Sequence, residues 1–213
     1  MGITANMIFK HERIEIAILR FSPHAGETHF NESSKLNNRA AYSKLLSSYV
    51  LLRHGLGPNT TIYHTKKGKP YIKKPNTFIS KSHTDLAVAV CIHNTNIGID
   101  IERFDPAIDI SCARSFMHSI EYNRFTELRT DDERYRFFFS CWVVKEAIVK
   151  FLGTGFLTNP TAILNSDYPT AIEIFNGEYF IACCAESSPR FIIDQVDIQK
   201  IHEILGKKDI SHD

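Results

Sequence analysis

The sequence predicts an α+β protein of two similar halves, each with a long helix packed on a small, mainly antiparallel sheet. Two long segments with helical spacing, 31–54 and 132–152, carry that expectation. Each is followed by short β-rich runs broken by turn residues. With 213 residues, 43% of them apolar and 23% charged, the chain can bury a core without staples.

The elements follow in order. Residues 13–19, Arg-Ile-Glu-Ile-Ala-Ile-Leu, alternate in part and read as a strand. From Asn31 to His54, Leu36, Ala40, Leu45, Val50 and Leu52 keep rough helical spacing, and Gly55 and Gly57 supply the stop. Thr60 to His64 is short and rich in β-formers. Lys66-Lys67-Gly68 turns the chain, and Pro70 and Pro75 keep the next segment out of a helix. Ser80 to Asp85 reads as a hydroxyl-rich turn. Leu86 to Ile92 and Ile97 to Ile101 read as buried strands joined by His93-Asn94-Thr95-Asn96.

Ser111 to Phe125 has helical periodicity with many polar residues. Asp132 to Leu152 is the strongest helix, with Asp131 or Asp132 as its cap and Gly153 and Gly155 as its end. Ile172 to Phe175, Asn176-Gly177 and Tyr179 to Ala182 form a hairpin pattern. Phe191 to Val196 adds a strand, and Asp197 to Leu205 a short helix. The two patterns meet near Arg103 to Pro106, which predicts halves 1–103 and 104–213. No Gly/Ser-rich linker separates them, so they should pack tightly.

Composition excludes several classes. Lysine and arginine number 25 against 24 acidic residues, a net charge of +1, which leaves no electrostatic footprint for general nucleic-acid binding. No apolar run approaches the ~20 residues of a membrane span. Met1 to Asn6 carries neither a signal-peptide nor a myristoylation pattern. The five cysteines are odd in number, lack a C-x-x-C pair and sit mostly in apolar runs, so a reducing cytoplasm is the expected compartment.

Three features carry chemistry. In Gly98-Ile99-Asp100-Ile101-Glu102, strand alternation puts Asp100 and Glu102 on one face. Two carboxylates there repel unless neutralised, and all-oxygen ligands suit Mg²⁺. The competing reading is a solvated strand face. In Trp142-Val143-Val144-Lys145-Glu146-Ala147-Ile148-Val149-Lys150, Glu146 and Lys150 share a helix face amid apolar neighbours. An exposed ion pair is the competing reading. Burial would instead demand partners, such as a metal for Glu146 and a phosphate for Lys150. Ser80-Lys81-Ser82-His83-Thr84 offers possible donors to phosphate oxygens, or else a polar surface turn.

Together these residues resemble the 4′-phosphopantetheinyl transferases, specifically the larger single-chain class that activates surfactin synthetase. The family's G-[IV]-D-[IVL]-E strand is matched by Gly98 to Glu102, and its W-x-x-K-E-[AS]-x-x-K helix by Trp142 to Lys150. A serine-histidine turn some seventeen residues before the strand aspartate is matched by Ser82-His83, and G-K-P by Gly68-Lys69-Pro70. Phe116 to Tyr122 is similar to the F-[FS]-x-x-E-[YR] segment. The resemblance covers about residues 40 to 185.

The resemblance implies an Mg²⁺-dependent enzyme that moves the phosphopantetheine arm of coenzyme A to a serine of an apo-carrier protein and releases 3′,5′-ADP. It implies Asp100, Glu102 and Glu146 as metal ligands and Lys150 on the pyrophosphate. His83, with Ser82, would meet a coenzyme A phosphate, and Gly68, Lys69 and Pro70 would line the adenine site. Lys44 would bind the 3′-phosphate, Lys35 and Arg39 are further basic candidates, and Glu121 would be the general base. It also implies a monomer. The chain departs from the family at Lys81, where an apolar residue is usual, and at Lys44, where arginine is common.

Two rival readings remain. A metal-dependent nuclease of the PD-(D/E)-x-K type also combines acids with a lysine, but there the acid and lysine lie two apart on a strand, not four apart on a helix. A non-catalytic carrier-protein binding module would have no use for buried carboxylates.

Overall fold

The structure, a computed structural model, describes residues 13–21 and 32–209, apart from the side chains of 32–38, 156 and 207–209. The readings made at Met1 to Asn6, at Asn31 and for the side chains of Lys35 and Leu36 lie outside the described residues. The protein is α+β, and its described residues group into two units. One comprises 13–21, 32–63, 70–95 and 190–209, the other 64–69 and 96–189. This grouping differs from the linear halves 1–103 and 104–213 that the sequence suggests. Strand pairing, not chain order, decides membership.

In the first unit, β1 (Ile14–Arg20) lies between β5 (Ala87–His93), antiparallel, and β9 (Phe191–Val196), parallel. β4 (Phe78–His83) pairs antiparallel with the far edge of β5, giving the order β4-β5-β1-β9. Two helices belong to this unit, α1 (Glu32–Arg53) and α5 (Ile198–Asp209). Leu46, Tyr49 and Val50 of α1 share a core with Ala17, Leu19, Val88, Val90 and Ile201. Arg53 at the end of α1 joins Glu15 of β1 (2.6 Å) and Asp194 of β9.

Two corrections fall here. Ser80 to His83 are strand residues of β4, opposite Cys91, Val90, Ala89 and Val88, so the turn is confined to Thr84 to Leu86. A lysine, two serines and a histidine hide the strand, which is held by its pairing with β5 after a three-residue turn. Thr60 to Ile62 fall outside the strands: only β2 (Tyr63–His64) forms, joined to β3 (Pro70–Tyr71) in a two-stranded ribbon.

The second unit is an antiparallel sheet, β6 (Ile97–Arg103), β8 (Tyr179–Ala185) and β7 (Thr170–Phe175), covered by helix α4 (Asp131–Leu152). Phe138, Phe139, Val143, Val144, Ala147 and Ile148 of α4 pack with Phe180, Ala182 and Cys184 of β8. A helix this apolar is stable because it is sandwiched, not because one face is amphipathic. Thr130, not Asp131 or Asp132, caps it: its hydroxyl accepts from Glu133 N while the Glu133 carboxylate accepts from Thr130 N. Gly153, at φ 66°, ends it in the left-handed conformation. In the β7–β8 hairpin, Asn176 and Gly177 both have positive φ, as the Asn-Gly pair requires.

The helix expected over 111–125 is broken. A 3₁₀ turn (Ile110–Cys112) leads into α2 (Ala113–Phe116), the chain extends at Met117 and His118, and α3 (Ser119–Glu127) restarts. His118 caps α3, and Glu121 reaches back to the His118 amide at 2.9 Å. That reciprocal cap offsets the cost of starting a new helix.

Candidate functional site

The strand β6 and the helix α4 meet residue by residue. Gly98 lies against the Ala147–Phe151 turn of α4 so closely that a Cβ would come 2.1 Å from the Ala147 carbonyl oxygen and 2.3 Å from the Phe151 nitrogen. Two residues on, Asp100 Oδ1 accepts from Lys150 Nζ at 2.6 Å. A further two residues on, Glu102 Oε1 accepts from Trp142 Nε1 at 2.8 Å. The period of two on the strand and the turns of the helix thus run antiparallel in register. The three strand positions of the Gly-Ile-Asp-Ile-Glu motif each have a counterpart in the helix motif.

The electrostatics are unbalanced. Asp100 is 3% exposed. Burial and the Asp100 charge push the Glu102 carboxyl up to about 7, against the pull of Trp142 and Lys150. The same two causes, burial first, raise Glu146, while Lys150 pulls it down. Three carboxyls therefore act on one another with one lysine ammonium among them. A set of oxygen donors this short of positive charge fits a hard divalent cation such as Mg²⁺. Among the described residues no three His, Cys, Asp or Glu side chains converge closely enough to cage a metal by themselves. Mg²⁺ needs no such cage, since it keeps several waters and takes one or two protein carboxylates.

Lys69 and Glu121, both singled out in the sequence, have protein partners. Lys69 Nζ donates to Asn96 Oδ1 at 2.5 Å and to the Phe151 carbonyl at 2.7 Å, and Asn96 Nδ2 donates to the same carbonyl at 3.0 Å. Its ammonium thus closes the C-terminal end of α4, where the helix dipole favours a cation. Burial lowers its pKa. Glu121 is 7% exposed, and its Oε2 pairs with Lys145 Nζ at 2.7 Å. Of the remaining sequence-predicted residues, Lys44 (exposed on α1), Ser82 and His83 (half-buried and exposed on β4) and Pro70 (half-buried at the start of β3) belong to the first unit, and Gly68 belongs to the second, in an exposed turn at φ 87°.

Two partners escaped the sequence reading. Trp142 orients Glu102, and Lys145 pairs with Glu121. The available signal was a donor-bearing tryptophan and a lone lysine at positions where an apolar helix must bury them.

The family described as the 4′-phosphopantetheinyl transferase superfamily matches residues 96–201, the span that holds β6 and α4. A 4′-phosphopantetheinyl transferase, gsp, of Aneurinibacillus migulanus is 29% identical over 190 residues, 78% of each chain. A 4′-phosphopantetheinyl transferase of Bacillus subtilis is 28% identical over 179 residues, 76% of this chain and 78% of its own. The Sfp enzyme of Bacillus subtilis strain 168 is 28% identical over 135 residues, 61% of this chain and 59% of its own. The chain belongs to the 4′-phosphopantetheinyl transferase superfamily. It is of the larger single-chain class, as the gsp and Sfp matches require. Among the described residues of this transferase, no helix is long and apolar enough to cross a membrane.

Proposed function

We propose that the chain transfers the 4′-phosphopantetheine arm of coenzyme A to a serine of an apo-carrier protein, releasing 3′,5′-ADP, with Mg²⁺ held by Asp100, Glu102 and Glu146. The observation that carries this reading is the register of β6 against α4, which brings Asp100 to Lys150 and Glu102 to Trp142. Bound there, Mg²⁺ would neutralise charge on the diphosphate of coenzyme A.

The chain's own groups supply positioning and charge, which is most of what phosphoryl transfer asks of a protein. Trp142 holds the Glu102 carboxylate at one oxygen. Lys150, 29% exposed at its side chain, keeps Asp100 paired and presents an ammonium to the diphosphate. Lys44 takes the 3′-phosphate, and His83 with Ser82 donates to a phosphate oxygen. With the Lys69 ammonium engaged on α4, residues Gly68 to Pro70 contribute backbone to the adenine. We read the two units, each with a 22-residue helix and a small sheet, as versions of one plan working as a monomer in the cytoplasm.

The test is intact mass spectrometry of a panel of folded apo-carrier proteins incubated with coenzyme A and Mg²⁺. At least one carrier gains the phosphopantetheine mass. If all stay unmodified while a control enzyme converts them, the reading is wrong.

A further inference from the structure

We infer that Glu121 is a positioning residue locked to Lys145, and not the group that takes the serine proton. The inference rests on the transferase reading above and concerns how its second unit is held. Glu121 Oε1 accepts from the Asn165 amide at 2.9 Å, and Oε2 accepts from the His118 amide at 2.9 Å and from Lys145 Nζ at 2.7 Å. Lys145 is 1% exposed and spends a second donor on the Ile163 carbonyl at 2.5 Å.

A general base must have a lone pair on the proton it removes. Here the carboxylate is buried, and its two oxygens already accept three bonds from the protein. A proton taken up by Glu121 would also leave the Lys145 ammonium facing a neutral acid inside the core. An uncompensated buried charge is among the costliest arrangements a fold can hold.

The same contacts define the alternative role. The pair ties two pieces of chain to α4: the start of α3 through His118, and the 163–165 segment through Ile163 and Asn165. A second tie runs from Asn165 Nδ2 to the Cys141 carbonyl, one turn earlier on α4, at 3.3 Å. Lys145 and Glu146 are successive residues, set about 100° apart around the helix. Fixing Lys145 on one side therefore fixes the rotation at which α4 presents Glu146 and Lys150 to β6. A buried ion pair is often no better for stability than apolar residues of the same volume. Its distinctive contribution is a single permitted arrangement.

The experiment compares Glu121→Gln, Lys145→Met and the double variant, each checked for native circular dichroism, by carrier modification under saturating Mg²⁺. Lys145→Met keeps the carboxylate. If Glu121 were the base, this variant would retain kcat. As a positioning pair, it loses kcat by roughly tenfold or more while the KM for coenzyme A holds within about threefold, because Lys44 and His83 are on the other unit. The double variant removes both charges and recovers kcat to within about tenfold of wild type, whereas loss of a true general base costs roughly 10²–10⁴-fold that no second substitution restores.

Wild-type kcat in folded Lys145→Met overturns the inference. So does a folded double variant no more active than Glu121→Gln. If one variant does not fold, the other decides. Should wild type itself modify no carrier, the transferase reading fails separately. Thermal melts of the same cycle still test the lock, since coupled residues destabilise singly by more than they do together.

Discussion

Replacing Gly98 by alanine probes the strand–helix register directly. A Cβ at this position would lie 2.1 Å from the Ala147 oxygen, 2.3 Å from the Phe151 nitrogen and 2.9 Å from its Cα. All three are backbone atoms of the last two turns of α4, so no side chain can swing aside. Reaching the 3.4 Å of ordinary contact requires β6 and α4 to part by about 1.3 Å. Overpacking of a well-filled core costs typically ~1–3 kcal/mol, and a backbone-on-backbone clash belongs at or above the upper end. At ~2–4 °C per kcal/mol for a chain of this size, the midpoint falls by about 6–12 °C.

The same separation stretches the Lys150–Asp100 and Trp142–Glu102 hydrogen bonds, at 2.6 and 2.8 Å, beyond useful length. Activity should therefore fall even in the folded fraction. Gly206 is the control. It lies in α5 with nothing within 4 Å of its Cβ position, so Gly206→Ala should stabilise by ~0.5–1 kcal/mol. Differential scanning fluorimetry and carrier modification on both variants suffice. A melting temperature for Gly98→Ala within a degree or so of wild type would refute the close-packing argument.

Two further outcomes follow from the site. Glu102 is raised from an ordinary 4.5 to about 7, so its protonated form is favoured by the fold. The stability it contributes is complete at acid pH and is lost as pH rises through about 7, to the extent of ~2–3 kcal/mol. In urea melts with chelator between pH 5 and 8, Glu102→Gln should flatten this decline, and identical slopes for variant and wild type would contradict it. Lys44→Ala should raise the KM for coenzyme A and lose its effect with 3′-dephospho-coenzyme A, while Lys150→Ala depresses kcat with either. Each charge-assisted contact is worth ~1.5–3 kcal/mol, about ten- to a hundredfold, and equal losses for Lys44→Ala on both substrates would remove it from the 3′-phosphate.

What the chain determined by itself is local or periodic. Asp132 to Leu152 is helical because its residues suit a buried helix and Gly153 can end it in the left-handed conformation. Asn176-Gly177 turns because those two residues tolerate positive φ. Asp100 and Glu102 share a face because strands alternate. These signals, with the order of the two motifs, also sufficed to indicate the family.

What only the tertiary structure decided depends on which elements pair and which groups meet. Ser80 to His83 form a strand because β5 pairs with them, and β9 joins the first unit because β1 does. The break at Met117 and His118 is set by a cap, which a periodicity of polar and apolar residues does not record. Lys69, singled out for the adenine site, and Glu121, singled out as the general base, have protein partners at Phe151 and Lys145, 82 and 24 positions away. A charged side chain's role is set by what neutralises it. That neighbour is chosen by the packing of whole elements, which no window of sequence contains.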